Sequence, residues 1–149
     1  MESEFLVIKE KIEKAIRMLL KNDLFLLKTN ADEWAISHQY AGYLQNQFVE
    51  WHVDVEYNRD KDKIKEWKNK PIRPDIIVHI RDTDNNLLVI ENKKSDNLET
   101  IDADVERLRW FTSPEEKFKY QFGALVIFHV GKDYQKLPQV TYFQKGKQL

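Results

Sequence analysis

The stretch Arg73-Pro74-Asp75-Ile76-Ile77-Val78-His79-Ile80, followed by Leu87-Leu88-Val89-Ile90-Glu91-Asn92-Lys93, decides how this chain is to be read. Both runs are apolar and β-branched, and each carries charge where a buried strand normally forbids it. The polar cluster Asp82-Thr83-Asp84-Asn85-Asn86 between them predicts an antiparallel hairpin with a loop longer than two residues. Alternate residues of a strand share a face, so Glu91 and Lys93 project together while Asn92 points away. Asp75 opens the neighbouring strand, and the hairpin can return it to the Glu91/Lys93 end. Two carboxylates and one amine then converge at the edge of an apolar sheet, a site for a divalent cation with a lysine beside it.

Each of these residues has a plainer reading. Asp75, after a proline, can cap the turn that enters the strand. Glu91 follows Leu88, Val89 and Ile90, and a carboxylate buried there needs a cation or several donors. Lys93 could be that cation, as an ion pair within the strand. Other chemistries are missing from the sequence. Asp82 to Asn86 opens like a calcium loop, but Leu87 stands at the turn-glycine position and Lys93 where the bidentate glutamate belongs. His38, His52, His79 and His129 lack the spacing of a zinc helix. The glycines are isolated, so no phosphate loop is formed, and no serine sits in a nucleophile elbow.

The spacing elsewhere predicts an ordered succession of elements. Phe5, Ile8, Ile12, Ile16 and Leu19 give an amphipathic helix over about residues 3 to 21, stopped near Lys21-Asn22-Asp23. Its other apolar residues, Leu6, Val7 and Leu20, widen the stripe beyond one packing face, and a symmetric homodimer would bury Phe5, Leu6 and Leu20. A second helix is expected from Asn30 to about Phe48, with Trp34, Ala35, His38, Ala41, Leu44 and Phe48 toward the core. Val49 to Asn58 alternates as a half-buried strand, with Val53, Val55 and Tyr57 on one face. Asp96 or Asn97 can cap a helix from about Leu98 to Phe111, with Ile101, Val105, Leu108 and Phe111 inside. Phe122 to Val130 reads as a buried strand, parallel to the Glu91 strand because it arrives from a crossover helix. Gln139 to Phe143 adds an edge strand. The expectation is α/β, a mixed central sheet flanked by helices in the order α-α-β-β-β-α-β-β.

The 149 residues, 42% apolar and 33% charged, fit one domain with a sizeable core. Absence of cysteine excludes disulfides and thiolate metal sites. No signal peptide or membrane-length apolar run is present, so a cytoplasmic protein without membrane contact is expected. A net charge of −1 does not advertise a nucleic-acid partner. Charge is concentrated, however, in Lys61, Lys63, Lys65, Lys68, Lys70 and Arg73, with Trp67 among them. This segment could neutralise phosphates while the ring stacks, or be a solvated connection anchored by Trp67.

Pro74-Asp75 and then Glu91-Asn92-Lys93 on the next strand resemble the PD-(D/E)XK nuclease superfamily, over roughly residues 30 to 130. Small bacterial members of that superfamily have a similar layout. The resemblance implies the restriction-endonuclease-like fold and Mg²⁺-dependent hydrolysis of phosphodiesters, with Mn²⁺ able to substitute. Asp75 and Glu91 would hold the ion with the backbone carbonyl of Asn92, and Lys93 would act on the water or the phosphate. Glu33 would be the upstream helical glutamate that completes such sites. Glu33 equally fits a capping box in Asn30-Ala31-Asp32-Glu33, reaching back to the amide of Asn30. The implied activity is a DNA endonuclease in phage defence or DNA processing. The alternative is an inactive module on the same fold that binds nucleic acid or a protein.

Overall fold

Apolar residues at three- and four-residue steps build the first layer. The computed structural model describes residues 2–60 and 63–149, with the backbone alone at Glu2 and Asp60. Helix α1 (Glu2–Asn22) buries Ile8, Ile12, Ala15, Ile16 and Leu19. Phe5 packs edge-on to Tyr142 with ring centroids 5.2 Å apart, and Leu20 also packs against the core. The chain itself thus covers two of the three residues from which the dimer was inferred, and leaves Leu6 exposed. The expected stop near Asp23 is only an interruption. A five-residue helix, α2 (Leu24–Lys28), follows at once because Leu27 has a place in the core.

Helix α3 (Glu33–Gln47) starts later than expected and is rotated. Its buried stripe is Ile36, Ser37, Tyr40, Ala41 and Leu44, while Trp34 and His38 stack on each other in solvent. Both stripes have helical spacing, but the first offers the core more large apolar surface. Tyr40 and Ile36 are therefore inside, and Trp34 and His38 are corrected to surface positions.

The six-stranded sheet contains β1 (His52–Val55), β6 (Ile76–His79), β7 (Asn86–Lys94), β8 (Phe122–Phe128), β9 (Gln139–Gln144) and β10 (Lys147–Gln148), in that order. Only β7 and β8 are parallel, and α4 (Ile101–Thr112) makes the crossover between them. The edge beyond β8 belongs to β10, so β9 is an inner strand. Both faces of the sheet are covered, which explains why β6 and β8 read as nearly unbroken apolar runs. Ile76, Val78, Leu88 and Ile90 join α1 and α3 on one side. Ile77, Val89, Leu108, Phe111 and Leu125 form the core under α4 on the other.

Three local departures shape the site. The expected alternation of Val53, Val55 and Tyr57 ends at Glu56, whose φ of 50° turns Tyr57 to the α4 side. Helix α4 begins at Ile101 rather than Leu98, because Asp96 is engaged by the side-chain amide of Asn30 at 2.8 Å. The basic segment forms two short ribbons, β2 (Arg59–Asp60) with β3 (Lys63–Ile64), and β4 (Glu66–Trp67) with β5 (Lys70–Pro71). Lys68 and Asn69, at φ 52° and 61°, make the left-handed two-residue turn of the second. Among the described residues no helix is long and apolar enough to cross a membrane.

Candidate active site

The hairpin register builds the site. Ile77 pairs with Val89 and Ile76 with Ile90, so one further step sets Asp75 opposite Glu91. Their parity is that of Ile77 and Val89, and both carboxylates therefore lie on the α4 side. Asp75 Oδ2 accepts the backbone N–H of Asn92 at 2.7 Å. Asn92 and Lys94 alternate to the other face. There Asn92 Nδ2 donates to Ser37 Oγ at 2.9 Å. Lys94 Nζ donates to Asn30 Oδ1 at 3.0 Å and to the Ala31 carbonyl at 3.2 Å. These bonds pin the segment before α3 to the end of β7, which delivers Glu33 to the rim of the carboxylate pair.

Lys93 is on the Glu91 face, but its partner is a residue of α4. Its Nζ lies 3.1 Å from Asp104 Oδ2, and Asp104 is 0% exposed. Arg107 bonds the other oxygen of Asp104, and its Nε stands 3.7 Å from Glu91 Oε1. Ion pairing within the strand is thereby replaced by pairing with a helix. Asp104 and Arg107 were missed in the sequence. The available signal was a carboxylate on an apolar stripe, three residues after Ile101 and four before Leu108.

Burial dominates the electrostatics. It pushes the Glu91 carboxyl well above the usual carboxylate range, Asp75 adds to this, and Arg107 opposes it. Asp75 is also raised, first by burial, although the Asn92 amide and a hydrogen bond from Glu91 resist the shift. Without a cation, burial and the neighbouring Asp75 both disfavour a charge on Glu91. Its Oε1 has no hydrogen-bond partner in the buried interior. Glu33 is raised by burial and then by Asp75. Desolvation lowers Lys93, but Asp104, Glu33 and Asp75 together outweigh it, and its pKa is raised. The capping box is not formed: Glu33 is the first residue of α3, its Oε2 has no partner, and Asp32 makes no side-chain cap.

Among the described residues, no three acidic or histidine side chains form a ready cation cage. The donors that fit a hard cation are two carboxylates and a carbonyl. A strand residue directs its N–H and C=O to the same edge, so the Asn92 carbonyl shares the side on which its amide meets Asp75. The orphaned Glu91 oxygen is the buried group that such an ion would satisfy. Mg²⁺ suits so few protein ligands because it keeps several waters.

The basic segment divides. Lys68, Lys70 and Arg73, with Trp67, wall a cleft of about 490 Å³ that also contains Asp75, Glu91, Lys93, Asp104 and Arg107. Lys63 lies elsewhere, beside a cavity with Arg59 and His79. Lys65 is corrected to a core residue, 2% exposed, its Nζ bonded to the Tyr120 hydroxyl and set over the Tyr57, Phe118 and Tyr120 rings. Lys61 lies outside the described residues. At the far end of β6, Asp54 bonds His79 at 2.6 Å and also Arg81. Burial alone would raise Asp54, but His79 and Arg81 hold it well below the usual range.

Comparison with known protein families, with curated proteins and with solved structures gave no match.

Proposed function

We propose that this chain is a Mg²⁺-dependent phosphodiesterase of the PD-(D/E)XK type, a DNA endonuclease on a restriction-endonuclease-like fold. One observation carries the reading: the half-buried Asp75, just before β6, stands opposite the buried Glu91 of β7, and one oxygen of Glu91 lacks a hydrogen bond. Like charges so placed destabilise a sheet, and a structural role does not need them. The hairpin with a parallel crossover, and the lysine two residues after Glu91, are consistent with that fold.

Asp75 and Glu91 would hold the ion with the Asn92 carbonyl. A cation bound there supplies Lewis acidity to the phosphate and lowers the pKa of a nearby water. Lys93, fixed by Asp104, presents a point charge to the attacking water or to a phosphoryl oxygen. Glu33, at the rim of the pair, would accept the proton of that water, and its pKa, raised by burial and by Asp75, favours that role. Lys68, Lys70 and Arg73 would hold flanking phosphates.

The second reading, a binding module without catalysis, is favoured by one specific feature. Asp104 already engages Lys93, and Arg107 already stands beside Glu91, so the cluster is partly neutralised from within. Titration calorimetry of Mg²⁺ and Mn²⁺ into wild type and Asp75→Asn, alongside incubation with plasmid, single-stranded DNA and RNA, separates the two. The phosphodiesterase reading expects binding and cleavage that both vanish in Asp75→Asn. Absence of ion binding and of cleavage in the wild type would leave the module.

A further inference from the structure

The cleft above Asp75 and Glu91 is closed on one side by ribbon β4–β5 and on the other by α4. The ribbon is fastened to the helix by Lys68 Nζ and Glu106 Oε1 at 2.8 Å, and Trp67 lies 6.3 Å from Trp110. The guanidinium of Arg107 sits 5.9 Å from the Trp67 ring, so the ribbon rests on a residue whose Nε is 3.7 Å from Glu91. About 490 Å³ is the size of a site for one small ligand. A nucleotide or two fits such a space. The wall of the cleft is basic at Lys68, Lys70 and Arg73, which matches a phosphate chain in charge.

A second observation lies beside Glu33. Glu33 interacts with Asp75, Lys93 and Asp104, and the next residue, Trp34, is 57% exposed. Its ring stacks on His38 at 5.3 Å and 15°, with the indole standing in solvent. A large exposed aromatic next to a charged site is the platform on which unpaired bases stack, and a phosphate-tracking basic groove is its usual companion. Paired bases have no free face to offer it.

From these features we infer that the strand entering the site is single-stranded nucleic acid, with an unpaired base stacked on Trp34 and its backbone led under ribbon β4–β5. The inference rests on the phosphodiesterase reading for the chemistry, but its recognition is measured separately.

The test is fluorescence anisotropy with a labelled oligothymidylate and with the same strand annealed to its complement. Ca²⁺ replaces Mg²⁺ to neutralise the carboxylates, and wild type is compared with Trp34→Ala and Trp34→Phe. The single strand is expected to bind roughly tenfold or more tightly than the duplex. Trp34→Ala should lose roughly tenfold of that affinity, and Trp34→Phe should recover most of it. Because Trp34 is exposed, the variants are expected to melt with the wild type, and melting curves check this. Equal binding of duplex, or binding unchanged in Trp34→Ala, overturns the inference. Cleavage in Mg²⁺ without strand preference overturns it too, but leaves the phosphodiesterase standing. Strand-selective binding through Trp34 without cleavage in Mg²⁺ or Mn²⁺ does the reverse.

Discussion

Lys93 and Arg107 share a carboxylate that solvent does not reach, and this sets what each substitution at the site should do. Lys93→Ala leaves Asp104 with Arg107 still bound. The loss should therefore fall below the roughly 3–5 kcal/mol of a fully stranded buried charge, at about 1–3 kcal/mol in urea denaturation. Mg²⁺ affinity should persist or rise, since a positive charge near the ion is gone. Cleavage should drop by roughly 10²–10³. A variant that cleaves at the wild-type rate would remove Lys93 from the chemistry. Glu91→Gln probes the other member. An amide can donate to Asp75 without placing a second negative charge beside it. The ion-free protein should melt at the wild-type temperature or above, and Mg²⁺ should no longer raise the melting point. Retention of the full Mg²⁺ shift would count against Glu91 as a ligand.

At the scale of elements, α4 closes the sheet and also supplies the charges that organise the site. Its inner side carries Ile101, Val105, Leu108 and Phe111 together with Asp104, so core packing positions the ionic cluster. Ribbon β4–β5 is held differently. Trp67 packs against the α4 core, but the Lys68–Glu106 pair is 62% and 57% exposed. Such a pair contributes little to global stability, roughly 0–1 kcal/mol before salt screening. Glu106→Ala should therefore leave the unfolding free energy measured in urea within about 0.5 kcal/mol of wild type. Amide exchange should accelerate selectively in residues 66–71 as the ribbon opens locally. Uniform acceleration over the sheet would show that the pair supports the whole fold.

Across the whole molecule, the raised carboxylates make stability depend on pH in a set direction. Glu33, Asp75 and Glu91 hold protons more tightly in the folded state than in the unfolded chain. Their contribution is complete below the ordinary carboxylate range of about 4 and is lost as pH rises through the raised values. Asp54 works in the opposite sense: its contribution is present above that range and lost as pH falls through its lowered value. The ion-free protein should be most stable at mildly acidic pH. Mg²⁺ binding displaces those protons, so the rise in melting temperature that it produces should grow with pH. Melting scans from roughly pH 5 to pH 9, with and without Mg²⁺, measure this, and a shift independent of pH would place the ion elsewhere.

Periodicity by itself determined which elements form and which side chains share a face. A strand repeats every two residues, so Glu91 and Lys93 had to project together, and the turn between the runs had to return Asp75 to them. A helix between two buried runs had to cross over the sheet, which made β7 and β8 parallel. Only the tertiary structure decided the partners. Local sequence does not record the approach of α4 to β7, and so the one ion-pair partner it offered for Lys93 was Glu91 rather than Asp104. The capping box of Glu33 was legible as a local pattern, but the anchoring of Asn30 and Ala31 by Lys94 drew that carboxylate to the site. The α3 stripe was ambiguous because two sets of residues had helical spacing, and the sheet accepted the one with Tyr40. Lys65 entered an aromatic core built from segments distant in the chain. Faces follow from backbone geometry, which is local, whereas the burial and pairing of a charge depend on what arrives from elsewhere.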